Sequence, residues 1–254
     1  MIRVLVPVLA LAGIAFPSSA MAGDVKVHAS GAIAVALDAL RGDYQTRSGD
    51  TLAIKIDRSA DIGPAVAAGE ATDVVIAEAK VIDGLVAGGH ALPGSVVPLA
   101  ASPICVVVPA NRPAPKIDTS AAVRRALLAA RSVGYSNSLS GDYVTRTMFP
   151  KLGITRQMAR VARQVGIAKA TAAGDVDIAF SQCSEMLHIR GLTVVGPLPP
   201  ALQHRSVLTA FVGARAPNPE AGARLLRYLT SPAADLPLQN SGLVPLPAQT
   251  SAAR

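Results

Sequence analysis

Three short stretches of this 254-residue chain combine small hydroxyls with the start of a helical pattern: His28-Ala29-Ser30-Gly31, Asp57-Arg58-Ser59-Ala60 and Ser136-Asn137-Ser138-Leu139-Ser140-Gly141. A serine at a helix start satisfies one orphan backbone N–H, and that explains any single one of them. Three together imply more. A helix N-terminus presents free N–H groups and about +0.5 of an elementary charge. Several such ends, each carrying a hydroxyl, make a cage for a compact anion. Gly31 and Gly141 let backbone come close to a ligand. Where these steps follow strands of an open α/β sheet, the carboxyl ends of the strands face a common crevice.

Other chemistries find less support. His28, His90, His188 and His204 are far apart and have no cysteine at ligand spacing, so no metal site is expected, and no cofactor. His28 lies two residues before Ser30, on the same strand face, and reads as a packed or solvent-edge histidine rather than a ligand. Glu185 follows Gln182-Cys183-Ser184 and reads as a solvated acid at a helix start. Cys105 and Cys183 both sit in apolar, strand-like runs and read as buried thiols rather than a pair. The net charge of +7 reads first as a basic surface and second as attraction for an anion. Basic residues are scattered without interleaved aromatics, which argues against nucleic acid; Arg156, Arg160 and Arg163, the densest group, fit an exposed helix face. With no tryptophan and 3% aromatics, the core must be Ala, Val, Leu and Ile, a poor platform for stacking sugars.

The elements that must position these groups follow from patterning. Residues 1–22 read as an export signal: Arg3, an apolar run from Val4 to Phe16, then Ala20-Met21-Ala22. The remaining chain, about 230 residues, suffices for one large domain or two lobes. Strands are expected at Val25–His28, Thr51–Ile56, Asp73–Ala77, Ile104–Val108, Ser132–Tyr135, Val176–Phe180, Leu192–Val195 and Val207–Val212. Helical patterns lie between them, as where Ile33, Leu37 and Leu40 recur at one face. This alternation predicts an α/β architecture with largely parallel sheets. A faint internal echo, Val66-Ala67-Ala68-Gly69 before Asp73 and Thr171-Ala172-Ala173-Gly174 before Asp177, is consistent with two lobes.

The Ser30 and Ser59 junctions, Thr72-Asp73-Val74-Val75-Ile76, Ser140-Gly141-Asp142-Tyr143 and Leu152-Gly153-Ile154 together resemble the periplasmic molybdate-binding type of ABC-transporter solute-binding protein. The stretches from Gly174 to Gln182, from Val195 to Pro199 and from Leu225 to Pro232 extend the resemblance over nearly the whole chain after residue 22. It implies the type II periplasmic binding fold, two lobes of mainly parallel sheet flanked by helices, with residues 23–105 and 206–254 in lobe I and 106–205 in lobe II. It implies that Ser30 and Ser59 grip an oxyanion and that Ser140 and Gly141 supply backbone N–H. With Gly31, Arg58, Tyr143 and Gln182 these make the expected ligand-binding set. Two departures bear on the ligand. Phe180 stands where molybdate binders often place a tyrosine, which Tyr143 would have to replace. Arg58 precedes Ser59; turned inward, it would suit a carboxylate through two parallel hydrogen bonds.

The expected function is therefore capture of a small anion, a molybdate-like oxyanion or an organic acid, by a monomer that delivers it to an inner-membrane ABC permease. The competing expectation is an enzyme. Aconitate isomerase resembles the same family and moves a proton along a tricarboxylate, which requires a general base; Tyr143, Glu185 and His28 are the candidates.

Overall fold

Strand and helix alternate from the first of the described residues, 23–247 of a computed structural model; the export signal read over residues 1–22 lies outside them. β1 (Asp24–Ser30), α1 (Ala34–Ser48), β2 (Thr51–Asp57), α2 (Ser59–Ala67), β3 (Val74–Glu78) and α3 (Ala79–Ala87) come first. β4 (Val97–Pro109) leads into α4 (Ser120–Ala129), β5 (Val133–Tyr135), α5 (Leu139–Tyr143), α6 (Phe149–Lys151), α7 (Thr155–Val161), β6 (Ala162–Gln164), α8 (Ile167–Ala172), β7 (Ile178–Gln182), α9 (Cys183–Met186) and β8 (Leu192–Pro197). β9 (Arg205–Val212) returns, followed by α10 (Pro219–Leu229), α11 (Pro232–Asn240) and β10 (Val244–Pro245).

The strands bond in the order β2-β1-β3-β9-β4-β7-β5-β6. The flanks are parallel, as the alternation predicts: β1 with β2 and β3, and β5 with β6 and β7. The middle is antiparallel. β4 pairs with β9 up to Pro103 and with β7 from Ile104 onward, so one strand belongs to both half-sheets. β4 carries the chain out of the first half and β9 carries it back, so they run in opposite directions.

Each half has its own core. Val25, Val27, Ile33, Leu37, Leu40, Ile76 and Leu225 pack in the first, which confirms the helix face read from Ile33, Leu37 and Leu40. Ile104, Val106, Val123, Leu127, Met148 and Phe180 pack in the second. Burying each such side chain contributes about 1.5–3 kcal/mol. The internal echo is structural as well. Gly69 and Gly174 both take left-handed φ, +96° and +80°, where α2 and α8 stop. Asp73 then accepts the Lys26 and Asn218 N–H groups at 2.8 and 2.6 Å. Asp177 accepts the Arg131 N–H at 2.9 Å and pairs with Arg112 at 2.8 Å. Each acid ties neighbouring chain to the strand it precedes.

The expectation of two free thiols is corrected. Cys105 and Cys183 form a disulfide with Cα atoms 4.9 Å apart. Cys105 pairs with Ser181 across β4 and β7, and the chain turns into a helix two residues later, which brings Cys183 into reach. Cys183 opens α9 rather than lying within a strand. Apolar surroundings suit a buried disulfide as well as buried thiols; only the adjacency of β4 and β7 decides between them. No helix among the described residues is long and apolar enough to cross a membrane.

Candidate functional site

The ends of several strands meet between the two half-sheets. β1 ends at Ser30, whose extended backbone lets its hydroxyl accept the Ala32 N–H at 3.2 Å, leaving its own proton free to donate. β2 ends at Asp57, and Arg58 takes the extended position before α2. Ser59 is thereby the first helical residue, and its buried Oγ has no hydrogen-bond partner. β3 ends at Glu78, only 5% exposed, which precedes α3. From the second half, Ser138 precedes α5 and Gln182 precedes α9.

Ser30, Gly31, Ser59 and Glu78 of the first half and Asn137, Ser138, Gln182 and Glu185 of the second line one cavity of about 740 Å³. Arg58 and Lys80 lie on its wall. A neighbouring cavity of about 910 Å³ shares Gly31, Arg58, Asn137, Ser138 and Glu185 and adds Ser181 and Lys169.

The floor joins the halves directly. Gln182 Nε2 donates to Glu78 Oε1 at 2.8 Å in a buried hydrogen bond. That leaves Glu78 Oε2 and Gln182 Oε1 buried without partners. The Ser181 hydroxyl donates to Glu185 Oε2 at 2.7 Å. A Cβ on Gly31 would stand 3.8 Å from Glu185 Oε1, so the first turn of one half lies against an acid of the other. Burial raises the Glu185 carboxyl above its ordinary range; the Ser181 bond opposes this and the charge of Glu78 adds to it. The reading of Glu185 as a solvated acid is corrected: it is partly buried on the cavity wall.

The expected set is divided. Ser30, Gly31, Arg58, Ser59 and Gln182 share the first cavity. Arg58 is exposed, and its Nε and Nη2 bond Asp61 at 2.7 and 2.9 Å, so its two parallel donors serve its own helix. Ser140, Gly141 and Tyr143 line neither cavity. The Ser140 hydroxyl is buried on those of Ser136 and Ser138, at 3.2 and 2.9 Å. Gly141 is packed so that a Cβ would collide with the Ser136 carbonyl oxygen. Tyr143 donates its hydroxyl to the Leu202 carbonyl at 2.9 Å and stacks on His204. Phe180 is core.

His28 is packed, at 1% exposed, with Nε2 2.9 Å from Asp57 and Nδ1 3.3 Å from Glu70. Lys55 bridges the same two carboxylates. The His28 hydrogen bond, then that of Lys55, holds the Asp57 carboxyl low. Glu78 is not among the residues expected from the sequence. Its only signal there is an acid directly after the apolar run Val74-Val75-Ile76-Ala77.

A family model described as bacterial extracellular solute-binding protein matches residues 25–244. An aconitate isomerase from a Pseudomonas species is 33% identical over 187 residues, 72% of this chain and 71% of that protein. Among solved structures, the periplasmic molybdate-binding protein of Azotobacter vinelandii superposes with a TM-score of 0.71 at 20% identity, over 88% of this chain and 99% of that one. The sulfate-binding protein of Mycobacterium tuberculosis superposes with a TM-score of 0.68 at 16% identity, over 88% of this chain and 87% of that one. At such identities the likeness to the solved structures concerns the fold.

Proposed function

The chain belongs to the bacterial extracellular solute-binding protein family, and on that premise we propose that it is a periplasmic member that captures a small organic acid between two lobes and delivers it to an ABC permease. Lobe I would comprise residues 23–105 and 206–254, and lobe II residues 106–205, hinged where β4 passes from one half-sheet to the other. The signal-like pattern of residues 1–22 supports export. A monomer suffices for capture.

One observation carries the reading: Ser59 Oγ, Glu78 Oε2 and Gln182 Oε1 are buried, lack partners and belong to residues lining one cavity between the halves. Buried polar atoms are nearly always hydrogen-bonded, so these atoms call for a ligand or water. The Ser30 and Ser59 hydroxyls can donate to an anion. Glu78 Oε2 and Gln182 Oε1 accept. A fully deprotonated tetrahedral oxyanion offers acceptors only and would meet an acid there. An organic acid with a hydroxyl or a protonated carboxyl offers both kinds of group. The volume, about 740 Å³, is of the size that holds small organic ligands.

A second reading is favoured by one specific feature. Glu185 places a carboxyl of raised proton affinity on the cavity wall, and the Pseudomonas relative is an aconitate isomerase. Proton transfer along a bound tricarboxylate would then accompany or replace transport.

Thermal unfolding with molybdate, tungstate, sulfate and a panel of di- and tricarboxylates tests the main reading. A ligand at a hundred times its dissociation constant stabilises by about 2.7 kcal/mol, a readily measured shift. We expect a carboxylate to give it. A shift with molybdate or tungstate alone would replace the organic acid by an oxyanion; no shift with any anion would remove the reading.

A further inference from the structure

We propose that Glu185 is the group that moves a proton on a polycarboxylate lying across the two adjoining cavities, so that the cleft catalyses migration of a carbon–carbon double bond. The proposal rests on the second reading above and adds the residue, its orientation and the placement of the substrate.

Glu185 is the one carboxyl among the described residues on the walls of both cavities. Its Oε2 is fixed by the Ser181 hydroxyl at 2.7 Å, which leaves Oε1 as the reacting oxygen. Gly31 lies opposite Oε1 and carries no side chain to cover it. Cationic side chains line both cavities: Lys80 one, Lys169 the other and Arg58 the two together. A substrate with carboxylates at both ends, each near a lysine, would pass its central carbons over Glu185. Glu78 Oε2, buried and unpartnered, can accept a hydrogen bond from a protonated substrate carboxyl. Burial makes an ionised Glu185 a stronger base than a solvated carboxylate.

The step balances with these groups alone. The Glu185 carboxylate takes a proton from a methylene that lies between a carboxylate and a double bond. The C–H electron pair delocalises over the allylic carbons and their carboxylates. Glu185, whose proton exchanges with solvent in the open cleft, then delivers a proton to the far allylic carbon, a C–H bond forms there, and the double bond has shifted by one position. Nothing is oxidised or reduced, and the carboxylate is regenerated.

trans-Aconitate in deuterium oxide, followed by proton NMR, tests this with the purified protein. The wild type should lose methylene proton signal to deuterium and form cis-aconitate. Glu185→Gln should keep the rise in unfolding midpoint given by trans-aconitate while exchange falls at least about 100-fold, the low end of what acid–base groups contribute. Glu185→Asp, with a shorter reach, should lose at least about tenfold in rate, and it decides the matter if the amide variant does not fold. A wild type that binds trans-aconitate without exchange overturns this inference and leaves solute capture standing. Exchange at the wild-type rate in Glu185→Gln or Glu185→Asp also overturns it. Absence of any midpoint shift with carboxylates removes both readings together.

Discussion

Ser30 and Ser59 look equivalent as sequence and differ as structure. Ser30 keeps the extended backbone of a helix cap and bonds the Ala32 N–H. At the second junction Arg58 holds that conformation, so Ser59 enters the helix by one residue and its hydroxyl is orphaned. A buried hydroxyl without a partner costs about 1–3 kcal/mol. Ser59→Ala is therefore expected to leave the unfolding midpoint unchanged or raise it, while anion affinity falls about tenfold. Melting curves and titration calorimetry on the same variant check both halves of the statement. The serines of the cleft were legible because strand ends in α/β sheets face one crevice. The acids were less so: Glu185 reads as a candidate base but a solvated one, and Glu78 as an ordinary surface letter, until the two halves bring both to one cavity, where Gln182 bonds Glu78 and Ser181 bonds Glu185.

Among the elements, the long-range tie between α1, α10 and the start of β2 is an electrostatic one. Asp50 is fully buried and accepts from Arg224 Nη2 at 2.6 Å, Tyr44 at 2.7 Å and the Gly23 N–H at 3.0 Å. Burial alone would raise its carboxyl; Arg224 and then Tyr44 outweigh it, so the acid is held below its ordinary value. A carboxyl lowered by folding stabilises the fold above its unfolded pKa, and that contribution disappears as pH falls through the folded value. Asp50→Asn is expected to cost about 3 kcal/mol near neutrality and to flatten the loss of stability on acidification. Denaturant titrations at a series of pH values measure both. Strands and helices with apolar runs or helical periodicity were legible, as β3 and the Ile33-Leu37-Leu40 face show. β6 was not, because Ala162-Arg163-Gln164 is a short polar edge strand. α11 was not, because Pro237 inside it breaks the usual signal.

At the scale of the whole molecule, the Cys105–Cys183 disulfide fastens the strand that crosses between the halves to the segment bearing Gln182 and Glu185. Its sequence separation of 78 residues corresponds to roughly 4 kcal/mol by loop-closure entropy. The double variant Cys105→Ser, Cys183→Ser should melt about 10 °C lower and hold its ligand less tightly. Calorimetry against the oxidised parent tests this; equal midpoints would show that packing alone fixes the crossing. The sheet order has a consequence for how the chain acquires its shape. Val74 pairs with Val212, so β3 stays unflanked on one side until nearly the last part of the polypeptide arrives. The segment from Ile104 to Gln203 is, by contrast, contiguous and can condense as soon as it is complete. An edge formed early is therefore among the last to be sealed. A chain crossing a membrane N-terminus first would expose the open edge of β3 to chaperones for most of its passage, and would commit to its final form only when β9 slots between β3 and β4.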